Sequence, residues 1–89
     1  MDYHQGMNGI SKEAARARAE SALADMGIGV EVSILDNSVL ETETAWYFPY
    51  NSTEYIAHGT VSAALAGNLP VKVPKDGTAI GYDLPPGRR

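Results

Sequence analysis

No cysteine occurs in the 89 residues, which excludes a disulfide framework, a thiolate zinc site and a thiol nucleophile. No apolar run approaches the roughly 18 residues of a membrane span, and Met1-Asp2-Tyr3-His4-Gln5-Gly6 lacks a basic region followed by an apolar stretch. The expectation is a soluble, cytoplasmic protein that is not exported. Lys and Arg are missing from the whole interval between Arg18 and Lys72, where Glu20, Asp25, Glu31, Asp36, Glu41, Glu43 and Glu54 fall. With a net charge of -4, a phosphate-tracking nucleic-acid binder is excluded, because such a protein needs a positive face to release counterions. The glycines form neither Gly-x-Gly-x-x-Gly nor Gly-x-x-x-x-Gly-Lys, so no dinucleotide or nucleoside triphosphate is implied. The Gly-x-Ser-x-Gly elbow of a serine hydrolase is also absent, and Ser11, Ser52 and Ser62 are explained by capping and turn roles.

What remains is enough for one small domain, with 44% hydrophobic residues. Residues 1–10 are polar and contain Gly6 and Gly9, and are expected to be a flexible lead-in. A single domain is expected over 11–83, followed by a flexible tail over 84–89 that carries Pro85, Pro86, Gly87 and the pair Arg88-Arg89. Ser11 can cap an alanine-rich helix over Lys12 to Met26, stopped by Gly27, with Ala15, Ala19, Ala22, Leu23 and Met26 on one face. Val30, Val32 and Ile34 alternate as a strand does, and Asp36-Asn37-Ser38 reads as a turn. An extended stretch from Val39 onward leads to Trp46, Phe48 and Tyr50 on one inward face, and Pro49 requires an edge, a bulge or an end. Thr60 to Ala66 is a short helix candidate, and Val71–Val73 with Ala79–Tyr82 form a hairpin around Pro74-Lys75-Asp76-Gly77. The fold class is α+β: an N-terminal helix packed on a small antiparallel sheet, in the order helix, strand, strand, short helix, strand, strand.

Few side chains carry chemistry. Glu54 and His58 have the i, i+4 spacing of two helical ligands, but a metal needs more and His4 lies in the lead-in. No catalytic residue, metal or cofactor is expected, and the protein is not read as an enzyme. Glu41 and Glu43, two apart in an extended segment, emerge from one face as an anionic docking pair. If Trp46, Phe48 and Tyr50 face inward, Tyr47 faces outward among acidic neighbours, as suits a protein-docking site. The acidic middle of the chain would attract a basic partner and speed its arrival.

Ala45-Trp46-Tyr47-Phe48-Pro49-Tyr50-Asn51-Ser52, then Tyr55, Gly59, Leu65-Ala66-Gly67-Asn68-Leu69-Pro70, and finally Val73 with Lys75-Asp76-Gly77 resemble the immunity protein 35 (YrhB-like) family. The resemblance implies a small bacterial α+β protein that binds and neutralises a cognate polymorphic toxin and brings no catalytic residues. On that reading the partner is a protein toxin, with a basic, nuclease-like one suited to the charge, and neither nucleic acid nor membrane is bound. The expected contacts are Glu41, Glu43, Tyr47 and Glu54. The alternative within the same family is a chaperone-like module that binds unfolded or partly folded clients through exposed apolar surface. The oligomeric state is open.

Overall fold

The helix expected after Ser11 forms over Lys12–Met26 (α1) in a computed structural model that describes residues 9–87. Ser11 is extended and its hydroxyl accepts from the Ala14 amide at 3.1 Å, which satisfies one of the free donors at the helix start. Gly27 ends the helix in the left-handed region, with φ 65. Ala15, Ala19 and Leu23 are buried, so two small side chains let the helix lie close on the strands beneath. Met26, expected on the same face, is exposed at the last turn.

Two antiparallel sheets follow in place of one. β1 (Val32–Ile34) pairs with β4 (Tyr50–Ser52), while β2 (Leu40–Glu41), β3 (Ala45–Phe48), β5 (Val71–Pro74) and β6 (Gly81–Tyr82) form a sheet in the order β2-β3-β5-β6. The extended stretch expected from Val39 is therefore divided twice. Thr42 makes the first break: its amide donates to the Ala45 carbonyl at 2.9 Å and its hydroxyl accepts from the Ala45 amide at 3.1 Å, closing a tight hairpin. Pro49 makes the second, handing the chain from one sheet to the other while its carbonyl accepts from the Leu35 amide at 2.8 Å. Proline cannot donate to a ladder, so a strand change at this residue forfeits no hydrogen bond.

Asp36–Ser38 is a 3-10 turn. The short helix lies earlier than expected, over Thr53–His58 (α2), where Ser52 caps it by accepting from the Tyr55 amide and Gly59 stops it at φ 68. Of the expected Thr60–Ala66 helix only a 3-10 turn at Val61–Ala63 forms. The β5–β6 hairpin is present, with a longer connection than expected because the second strand begins at Gly81.

The core joins α1 to both sheets through Ile34, Phe48, Tyr50, Val71 and Val73, with Trp46 partly buried beside them. β3 is interior on both faces, since Ala45 and Tyr47 are buried on the side opposite Trp46 and Phe48. Tyr47 is therefore not an outward-facing residue; it is 2% exposed. Its cross-strand neighbours are Leu40 and Lys72, with the Lys72 ammonium 6.0 Å from the ring centre.

Packing begins before Ser11. The Ile10 amide donates to the Lys75 carbonyl at 3.2 Å and the Trp46 indole donates to the Ile10 carbonyl at 3.4 Å. Gly9, at φ 78, passes so close to Lys75 that a Cβ would stand 2.3 Å from its carbonyl oxygen. The rest of the expected lead-in, including His4, lies outside the described residues, as do Arg88 and Arg89. Of the expected tail, Leu84 is half-buried and Pro85 is buried.

Candidate partner-binding surface

The four residues expected to touch a partner are distributed over three elements and a turn. Glu41, on β2, is ion-paired with Lys75, whose ammonium also sits 5.2 Å from the centre of the Trp46 ring. Glu43 is exposed in the Thr42–Thr44 turn, so it and Glu41 do not form the paired row of a continuous strand. Tyr47 is interior, as described above. Glu54, in the first turn of α2, borders a cavity.

That cavity, of about 700 Å³, is walled by Val30, Glu31, Ser52, Glu54, His58 and Leu65, among others. It adjoins a second hollow of about 570 Å³, because Val30 and Glu31 line both. The second hollow is a groove between the C-terminal half of α1 and β1, with Glu20, Leu23, Ala24 and Ile28 on the side opposite Val32 and Ile34. Val30, at the junction, is 56% exposed. An apolar centre is thus bordered by Glu20, Glu31 and Glu54, and Glu31 and Glu54 have no ion-pair partner among the described residues.

Arg16, the cation of this groove, is already engaged. Its guanidinium donates to both Asp36 oxygens, at 2.8 and 3.0 Å, and to Glu20 at 2.7 Å. The hydrogen bond from Arg16 holds the Asp36 carboxyl below the usual carboxylate range and raises the Arg16 guanidinium above its own. Both groups stay charged, and the groove keeps its acidic balance. Glu54 and His58 do face one cavity as their spacing requires, but no group of three or more acidic or histidine side chains able to hold a metal occurs among the described residues.

Two asparagines organise the far side of β4. The Asn51 side chain accepts from the Leu65 amide at 2.7 Å and donates to the Leu65 carbonyl at 3.4 Å, so its amide group imitates a paired peptide unit. Asn68 donates to the Tyr50 carbonyl at 2.9 Å. The segment 65–68 is thereby bound along the outer edge of β4, and the Tyr-Asn-Ser and Leu-Ala-Gly-Asn stretches become the two halves of one side-chain clasp. The immunity protein 35 family model matches residues 13–86, which includes α1, both sheets and this clasp. The chain belongs to the Immunity protein 35 family. No curated protein and no solved structure matches it. As a member of this family it is an immunity protein, a class whose partner is a protein toxin. No helix among the described residues is long and apolar enough to cross a membrane.

Proposed function

We propose that this immunity protein neutralises a cognate toxin by seating a basic face of it on the acidic concave surface around Val30. The observation that carries this reading is the pairing pattern of the carboxylates: Asp36, Glu20 and Glu41 are held by Arg16 and Lys75, whereas Glu31 and Glu54 border the hollow at Val30 with no ion-pair partner among the described residues. Unpaired carboxylates around an exposed valine attract a cationic surface at long range and are paired on contact, which sets both the association rate and the orientation. Val30 supplies the apolar contact in the middle. A toxin active site that handles nucleic acid is basic, and an acidic protein occludes it by standing in for the substrate's charge. Glu43 and Glu41, at the β2–β3 hairpin, form a second acidic point, while Tyr47 contributes from the interior by supporting that hairpin.

Co-expression with the product of the adjacent upstream reading frame, tested first for its ability to kill the host, tests the reading. The parent chain should restore growth. Reversal of Glu31 and Glu54 to Lys should slow association with the purified toxin about tenfold at low salt and flatten its salt dependence. Reversal of Glu41 and Glu43 should do so to a smaller extent. Undiminished rescue and unchanged association in both doubly reversed proteins would refute the acidic-surface reading.

A further inference from the structure

The two edges of the β1–β4 sheet are treated differently. Along β4 the outward Tyr50 carbonyl receives Asn68 and the outward Ser52 amide donates to Asn51 at 2.8 Å, so this edge is closed by side chains. β1 has no such cover. The bonds from the Thr53 amide to the Glu31 carbonyl and from the Leu35 amide to the Pro49 carbonyl, together with the register Ser33 to Asn51, identify residues 31, 33 and 35 as those that face β4. The N–H and C=O groups of Val32 and Ile34 therefore point the other way, and no hydrogen bond reaches them among the described residues. They open onto the groove below α1. Native sheets ordinarily blunt such an edge with a lysine, a proline, a bulge or a covering loop. Here the edge is left open beside a hollow walled by Leu23, Ala24 and Ile28.

We propose that β1 accepts an extended, basic segment of the partner protein as an added strand, lying in the groove between α1 and β1. The proposal rests on the immunity reading for the class of partner and adds how that partner is held. Backbone pairing to Val32 and Ile34 supplies the affinity, and alternate side chains supply the selection. Ile34 is buried toward α1 with Val32 packed beside it, so on the same side an added strand presents apolar residues to Leu23, Ala24 and Ile28. Its opposite side lies beside Glu31 and Ser33 and takes lysine or arginine. A second copy of this chain is a poorer occupant of the groove, since its own β1, Val32–Ile34, carries no lysine or arginine to set beside Glu31.

The probe is a capped peptide of alternating valine and lysine, titrated into the full chain and followed by amide hydrogen exchange. Binding should protect the Val32 and Ile34 amides, which exchange freely in the unbound protein, with Ser33 and Leu35 already protected. Two N-methylated forms, one methylated at the valines and one at the lysines, keep every charge and block opposite edges of the peptide. At least one should bind about tenfold or more weakly, the loss expected for about one or two hydrogen bonds. Equal binding of all three peptides, no protection at Val32 and Ile34, or no binding at all would overturn strand addition. So would a dimer of the free protein that Val32→Pro dissolves. In the toxin assay, Val32→Pro removes an outward donor and no ladder bond, and should weaken rescue while the β1–β4 ladder stays protected. If folded Val32→Pro rescues as the parent does and the Glu31, Glu54 reversal does not, strand addition fails and the acidic-surface reading stands. The opposite pattern retains strand addition but removes both the acidic surface and the selection for lysine or arginine beside Glu31.

Discussion

Asn51 carries more of the architecture than its exposure suggests. Its amide group is the link between β4 and Leu65, and a hydrocarbon of the same size would leave the Leu65 N–H and C=O without protein partners. Asn51→Ala should cost about 1–2 kcal/mol, read as a lower urea midpoint, with faster exchange concentrated at the Leu65 amide. A loss spread evenly over all amides would mean that the clasp has no local role. The prominence of Tyr-Asn-Ser and Leu-Ala-Gly-Asn in the sequence has its physical reason here. Tyr47 shows the opposite case, a residue whose strand alternation is legible but whose environment is not. The period-two pattern correctly separates it from Trp46 and Phe48, yet alternation says only that the two faces differ, not that the second is wet.

Among the elements, α1 is the one whose limits and buried face are set locally, by Ser11, Gly27 and the alanine spacing. Its distance from the sheet depends on Ala15 and Ala19 having no more than a methyl group. Ala19→Leu should lower stability by about 1–3 kcal/mol through overpacking, whereas Ala17→Leu on the exposed side should stay within about 0.5 kcal/mol. Chemical denaturation of the two variants separates packing from helix propensity, which changes slightly and equally in both. The β2–β3 hairpin has no turn signature in its sequence, because its turn, Thr42-Glu43-Thr44, contains no glycine, asparagine or proline and depends on the Thr42 hydroxyl. The expected helix over 60–66 and the one that forms, Thr53–His58, have similar cap residues. Ser52 and Gly59 delimit α2, whereas Leu65 is held straight by Asn51 and cannot complete a helix over 60–66.

For the molecule as a whole, charge couples the fold to its conditions. Asp36 on the 3-10 turn is tied to Arg16 of α1, and the hydrogen bond lowers its folded pKa below the unfolded value. The contribution is therefore fully present above about pH 4 and is lost as pH falls through the folded pKa. Because both partners are partly solvated, it amounts to at most about 1 kcal/mol. Asp36→Asn should lower the urea midpoint near pH 7 and leave it close to the parent's near pH 2, with the difference closing between. A constant difference across that range would show that the ion pair is not its source. Salt should weaken the same pair and toxin association together.

The amino-acid sequence alone determined the α+β class, the extent and buried face of α1, the family and the acidic character, because each is written in neighbouring residues or in composition. The assignment of β1 and β4 to a separate sheet, the interior position of Tyr47, the pairing of Glu41 and the meeting of Glu31 with Glu54 around Val30 were decided only by the tertiary structure. Each of these depends on residues tens of positions apart, and local periodicity contains no term for which distant strand or cation will arrive.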